Sequence, residues 1–214
     1  MNEQEIIEGL RNAVWEGDID EAEELAQLAI KEKIDPLEAT TQGLVKGIVA
    51  LGEAFARGEV FLPELVMAAD ALKAGSAFLD KEIEKAGLEK PILGRAVMGT
   101  VAGDVHDIGK TLVCTLLSAN GFEVFDLGVN VSAEQFIEAA KREQADVVGL
   151  SALLTTTMVY MPVVIQALKE SGLPVKVMVG GGPVSEYFAE EIGADGYGFD
   201  AQKAVEVAKE LVGK

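Results

Sequence analysis

Apolar residues recur every three or four positions through residues 1–89, then give way to short apolar runs separated by helical stretches, so two kinds of structure are predicted in one chain. In the first part, Ile6, Ile7, Leu10 and Val14 make one face before Gly17-Asp18 interrupts it, and Ala22, Leu25, Ala26 and Ala29 make a second. Asp35-Pro36 reads as an N-cap followed by a first-turn proline. It opens a longer helix with Leu44, Val45, Ile48, Leu51 and Phe55 that stops at Gly58. Phe61-Leu62-Pro63 starts another, carrying Leu65, Val66, Ala69, Leu72 and Leu79. Four or five helices joined by short turns predict a small bundle.

Two glycines and Pro91 within Gly87 to Gly94 mark a linker, and the expected division is a helical domain over 1–89 and a second domain over 90–214. From Arg95 the pattern alternates. Strand-like runs at Ala96–Thr100, Glu123–Leu127, Val147–Leu150 and Val175–Val179, with a weaker one at Gly196–Phe199, are separated by helical stretches. The reading is an α/β, flavodoxin- or Rossmann-like fold with a five-stranded parallel sheet and right-handed crossovers.

Charge removes some classes of partner. The net charge of −18 divides into −11 over residues 1–90 (9 basic, 20 acidic) and −7 over residues 91–214 (9 basic, 16 acidic). Both halves repel a phosphate backbone and no basic stripe offsets this, so no nucleic-acid partner is expected. The longest uncharged stretch, Val147 to Leu168, contains Gly149, Ser151, three threonines, Pro162 and Gln166. It reads as strand, polar loop and helix rather than a membrane span. A single cysteine, Cys114, excludes an intrachain disulfide and sits on an apolar helical face as an inert thiol. A reducing cytoplasm fits this usage, and the acidic N-terminus does not resemble a targeting peptide.

The one histidine, His106, lies in Gly103-Asp104-Val105-His106-Asp107-Ile108-Gly109, where the first strand hands over to a helix. Imidazole is the commonest metal-ligating side chain, and a carboxylate two residues away can take its other ring N–H. In strand order 2-1-3-4-5 the loops after strands one and three diverge, leaving a crevice at their carboxyl ends. Ser151 to Thr157 follows strand three and Gly180-Gly181-Gly182 follows strand four, so both should face His106. Each piece alone has a plainer reading as structural histidine, helix cap or turn. Their spacing joins them: 41 residues separate Gly109 from Ser151, and 26 separate Leu153 from Gly180.

On these motifs the chain resembles the cobalamin-binding proteins that hold the cofactor with its own base displaced and a protein histidine on cobalt. Their signature is Asp-x-His-x-x-Gly, about 41 residues, Ser-x-Leu, about 26 to 28 residues, then Gly-Gly. This chain carries Asp104-x-His106-x-x-Gly109, Ser151-x-Leu153 and Gly180-Gly181. Its helical part, notably Gly58 to Pro63, resembles the bundle preceding that domain in methionine synthase and in the small corrinoid carriers of methyltransferase systems. The stand-alone carrier is the nearest in size.

The resemblance implies cobalamin or a related corrinoid, as methylcobalamin or hydroxocobalamin, with His106 as the lower ligand of cobalt. It makes Asp104 the partner of His106, and Thr157 stands where the family's third relay residue, a serine, is found. Gly103, Val105, Asp107, Ile108 and Gly109 complete the cofactor loop. Ser151, Leu153, Thr155, Gly180 and Gly181 would line a channel for the displaced nucleotide tail, with Tyr197 and Ala201 near its end. The bundle would cover the upper face, with Met67 and Leu72 as lid residues by position.

The implied function is a methyl carrier that accepts a methyl group on Co(I) from a substrate-specific methyltransferase. It gives that group from methyl-Co(III) to a second methyltransferase acting on tetrahydrofolate or a thiol. A corrinoid-reactivating protein is the third expected partner, and the chain is a subunit that is not catalytically complete alone. Three alternatives stand beside it. A cobalamin-dependent sensor would need a DNA-binding segment, which is not evident here. The small subunit of an adenosylcobalamin mutase generally lacks such a helical cap, and a flavin- or nucleotide-binding module leaves the histidine and both spacings unexplained.

Overall fold

In the computed structural model, which describes residues 1–88 and 92–213, the first helices begin where the sequence offers caps. Asn2 accepts from the Glu5 N–H in a capping box that opens α1 (Glu3–Glu16), and Gly17 closes it in the left-handed region at φ 71°. Asp18 caps α2 (Ile19–Lys31), and Asp35 caps α3 (Pro36–Glu38). A π-helical segment, Ala39–Val45, then leads into α4 (Lys46–Ala56), and α5 follows over Leu62–Ala86. The linker mark at Pro91 and the expected division at 89/90 lie outside the described residues. By contact the chain divides into two compact units, Met1–Pro91 with Ser118–Gly121, and Ile92–Leu117 with Phe122–Lys214.

Two sequence expectations for the helical unit need correction. The run after Asp35 is not one regular α-helix, because the π segment interrupts it. Gly43 and Gly47 flank the offset and allow close packing on α1. A Cβ at Gly43 would lie 2.9 Å from the Leu10 Cβ, and one at Gly47 2.6 Å from the Arg11 carbonyl oxygen. The Arg11 guanidinium reaches the Gln42 carbonyl at 2.9 Å and so satisfies an acceptor in the irregular turn. The buried face of α5 is also rotated from the one read in the sequence. Leu65, Ala68, Ala71, Gly75, Leu79 and Ile83 are buried, whereas Val66, Ala69 and Leu72 are half-buried. Small residues carry little hydrophobic weight in a periodicity yet permit the closest helix approach. A Cβ at Gly75 would come within 3.0 Å of Leu44.

The second unit runs β1 (Arg95–Thr100), α6 (Ile108–Ala119), β2 (Glu123–Asp126), α7 (Ala133–Arg142), β3 (Val147–Ser151), α8 (Thr155–Met158), α9 (Met161–Glu170), β4 (Lys176–Gly180), α10 (Glu186–Glu191), β5 (Gly196–Gly198) and α11 (Ala201–Leu211). All strand pairs are parallel and the order is β2-β1-β3-β4-β5, the α/β architecture expected from the sequence. Thr100, Ser151, Gly180 and Gly198 stand in one register row at the carboxyl edge of four strands. The loops that leave this edge therefore start at the same level.

Side chains alternate across the sheet. Val97, Val148, Leu150, Val177 and Val179 point to one face, where Phe136 of α7, Met161, Val164, Ile165 and Leu168 of α9, and Ala189 of α10 complete the core. Helices α6 and α11 take the other face. Two helices do not cover five strands, and a cleft remains between them over β3 and β4. Its floor is Met98, Gly149 and Met178.

Gly99 has the opposite duty, since a Cβ there would meet the Phe136 ring at 2.6 Å. Gly99→Ala should therefore cost about 1–3 kcal/mol by overpacking. In a denaturant double-mutant cycle, Phe136→Leu should recover part of that loss through a favourable coupling; strictly additive effects would show that the ring does not impose the glycine.

Candidate functional site

Asp104 is the hub of the site. It follows a turn closed by its own N–H on the Val101 carbonyl (3.1 Å), with Gly103 at φ +84°, and only 1% of the residue is exposed. Its Oδ1 accepts the His106 backbone N–H at 3.0 Å and pairs with His106 Nδ1 at 2.7 Å. Its Oδ2 accepts the Thr157 hydroxyl at 2.6 Å and the Leu153 N–H at 2.8 Å. Burial opposes ionisation of this carboxyl. The donors from Thr157, His106 and Leu153 outweigh it and hold the group well below the ordinary carboxylate range. One ionised side chain thus ties the loop after β1 to the loop after β3.

His106 inherits its placement from this hub. The carboxylate at Nδ1 takes the ring N–H there, which turns Nε2 away from Asp104. The side chain is 45% exposed and lines the cleft. The backbone is held as well: its N–H goes to Asp104, and its carbonyl accepts the hydroxyl of Thr100 at 2.9 Å.

The cleft has a volume of about 800 Å³. Residues 105–109 form its mouth on one side, and Ser151, Leu153 and Gly180 to Gly182 face them. Tyr197, Phe199 and Ala201 close the far end, where the Tyr197 hydroxyl donates to the Val184 carbonyl at 2.8 Å. Small residues keep it open, because the strand positions facing it include Gly149, Ser151, Gly180 and Gly198. The glycines after β4 answer to protein backbone before any ligand. A Cβ at Gly181, whose φ is +120°, would lie 1.9 Å from the Ala152 carbonyl oxygen, and one at Gly180 2.8 Å from that of Gly198. Both glycines also line the cleft, as expected of them.

Among the other expected site residues, Gly103 and Asp104 support the wall from behind. Thr155 is exposed at the start of α8 and is not part of the lining. Met67 and Leu72 belong to the helical unit and are not part of this lining; Met67 is 51% exposed. Cys114 is buried and its thiol is pushed up to about 12 by burial, with Asp126 adding to the shift, as an inert thiol requires. Sequence reasoning missed Lys110. Although buried in the cleft wall, it makes a bidentate ion pair with Asp126 at the end of β2, fastening the start of α6. A lysine at helical spacing from Leu117 and Cys114 was the available signal. Thr100 and Asn130 were missed for a different reason, since their partners are backbone groups.

The donor set limits what the site can hold. Among the described residues no group of three or more His, Cys, Asp or Glu side chains could hold a metal ion unaided. A single oriented imidazole beside a long apolar cleft suits a metal that arrives already ligated by a large organic group.

Two B12-binding-domain family models match the chain, over residues 94–206 and 6–80. The chain is 45% identical over 212 residues to corrinoid protein DSY3155 of Desulfitobacterium hafniense, covering 98% of each. It is likewise 45% identical to a dimethylamine corrinoid protein of Methanosarcina barkeri, covering 99% of this chain and 100% of that one. Among solved structures it is similar to the methanol:cobalamin methyltransferase complex MtaBC from Methanosarcina barkeri. The TM-score is 0.86 at 33% identity, covering 100% of this chain and 82% of that one. A cobalamin-binding protein from Desulfitobacterium hafniense DCB-2 matches with a TM-score of 0.63 at 31% identity, covering 97% and 98%.

Thr157 offers the cleanest test of the hub. Thr157→Val keeps the shape but removes a donor from a buried carboxylate, and should lower unfolding stability by about 2 kcal/mol. Thr157→Ser should stay within about 1 kcal/mol of the parent, because the hydroxyl is retained. A loss in Thr157→Ser with none in Thr157→Val in urea melts would mean that the methyl group, not the hydroxyl, matters. Gly181→Ala, strained and in collision with Ala152, should destabilise the α/β unit before any ligand is added.

Proposed function

This chain belongs to the B12-binding corrinoid proteins, and from that premise we propose that it is a methyl carrier working between methyltransferases. The observation that carries the reading is the Asp104–His106–Thr157 arrangement at the mouth of the cleft. It presents one oriented imidazole nitrogen, and among the described residues no group of three or more metal-ligating side chains stands beside it, which fits a cobalt held by its own macrocycle.

The bound corrinoid supplies a cobalt that takes up a methyl group when reduced and yields it to an acceptor. The protein's own contributions follow from the geometry. His106 Nε2 would hold the cobalt of the bound corrinoid. Asp104 fixes the tautomer and keeps electron density on the ring through Nδ1. The Thr157 hydroxyl stabilises the carboxylate and completes the relay through which ligation and proton position are coupled. The displaced nucleotide tail would lie in the cleft over Gly149, between α6 and α11, along Ser151, Leu153 and the Gly180-Gly181 turn, with Tyr197 and Ala201 towards its end. Val105, Ile108 and Leu153 are exposed at the mouth and would pass under the corrin. Met67 and Leu72 of α5 would serve as lid residues, within a cap domain over 1–89 and a cobalamin domain over 90–214.

Activation of the methyl donor and of the acceptor belongs to the partner methyltransferases. Relatives named for dimethylamine make that amine the first donor to test. The near full-length likeness to corrinoid proteins of methylamine systems favours a carrier over a sensor or a mutase subunit. A protein that returns oxidised cobalt to its reduced state would complete the system, which we place in the cytoplasm. Among the described residues, no helix is long and apolar enough to cross a membrane.

After incubation with hydroxocobalamin and desalting, the protein should retain close to one corrinoid per chain. His106→Ala should keep the corrinoid through the cleft but shift the bands that depend on the axial ligand. An unchanged spectrum in the variant would remove His106 from cobalt, and no retained corrinoid by folded protein would overturn the reading itself. With reduced, loaded protein and a dimethylamine methyltransferase, the methylated spectrum should form only when donor and partner are both present.

A further inference from the structure

We propose that Thr100, supported by Asn130, is a positioning residue for the axial histidine, acting on the backbone of the ligand loop from outside the motif. The inference rests on the corrinoid reading above and names residues that reading does not use.

Thr100 ends β1 with none of its surface exposed, in a strand otherwise built from apolar residues and glycine along Ala96–Gly99. A valine of nearly the same shape would suit such a site without a polar group to satisfy. The hydroxyl donates instead to the His106 carbonyl at 2.9 Å, across six residues of chain. Together with the two bonds to Asp104, this engages the His106 N–H, carbonyl and Nδ1, and leaves Nε2 for a ligand.

Asn130 grips the other end of the loop. It sits at φ 56° between β2 and α7, a conformation asparagine tolerates better than most residues. Its Oδ1 accepts the Gly103 N–H at 2.8 Å, and its own N–H donates to the Asp104 carbonyl at 3.0 Å. The Thr100 N–H donates to the Gly128 carbonyl at 3.0 Å and the Val131 N–H to the Thr100 carbonyl at 2.9 Å, so both grips hang from one short stretch of paired backbone. Asp104 sets which way the ring faces. Thr100 and Asn130 set where the ring stands, and hence whether Nε2 could reach the cobalt of a bound corrinoid.

Because the chain contains one histidine, labelling with [15N]histidine marks His106 alone. Proteins loaded with hydroxocobalamin and reduced to the cobalt(II) state are read by electron paramagnetic resonance. Coupling to 15N (spin 1/2) splits each cobalt line into a doublet, whereas the cofactor's own unlabelled base gives a triplet. The parent should show the doublet, and His106→Ala should lose it; failure of this pair sinks the corrinoid reading and not merely the proposal. Given that pair, Thr100→Val should at least halve the doublet intensity at unchanged corrinoid content, and Thr100→Ser should restore it. Asn130→Gly, which keeps the backbone conformation, should lower it in the same sense, and Asn130→Asp should restore it. A full doublet in both Thr100→Val and Asn130→Gly would overturn the proposal. Thermal melts of each variant within a few degrees of the parent separate positioning from unfolding, and loss only in step with the melting temperature would also count against it.

Discussion

The site depends on one buried anion. A carboxylate with 1% of its residue exposed is tolerable only when its lone pairs are filled, and Asp104 achieves this with donors from two loops that meet at the sheet edge. That requirement makes the loop after β1 and the loop after β3 a single object. Remove the carboxyl group, and the N–H of Leu153 and the N–H of His106 lose their acceptor together while the Thr157 hydroxyl keeps only the Leu154 carbonyl. Such a network is worth more intact than its separate bonds suggest, and less than an apolar core when broken.

The cleft beside it follows from topology. Right-handed crossovers place α7, α9 and α10 on one face of the sheet, and only α6 and α11 on the other. Five strands under two helices leave a gap, and a gap floored by large apolar residues would fill itself. Gly149 and Ser151 keep it empty, while Met98 and Met178 give it a pliable apolar lining. The glycines after β4 lie on this wall but are imposed by the approach of Ala152 and Gly198 backbone, so fold and cavity impose the same residue for separate reasons.

Much of this was legible in the sequence, for identifiable reasons. The strands were visible because buried parallel strands are continuous apolar runs, and the order 2-1-3-4-5 placed His106, Ser151 and Gly180 on one edge before any coordinates. The π segment was not legible, since an extra residue per turn leaves the apolar spacing around Leu44 and Ile48 nearly intact. Nor was the true face of α5, where Ala68, Ala71 and Gly75 weigh little in a hydrophobic pattern yet sit deepest. Lys110 hid because a charged residue in a helix normally reads as solvent-exposed. Thr100 and Asn130 hid because they bond to backbone carbonyl and amide groups, which carry no sequence signature of their own.

Preorganisation connects these features to the cofactor ligation proposed for His106. An exposed imidazole on a free loop would surrender side-chain and backbone entropy each time it bound a metal, at roughly 1–2 kcal/mol per ordered residue. Here that ordering is done during folding: Asp104 holds the ring, and the His106 N–H and carbonyl are both engaged before any ligand arrives. The ligand bond proposed for His106 could then form or break without remaking the loop, so its strength would reflect the electronic state of the metal more than the disorder of the protein. In the proposed carrier, a ligand bound in one state and released in another would require that separation, and the buried carboxylate would provide it.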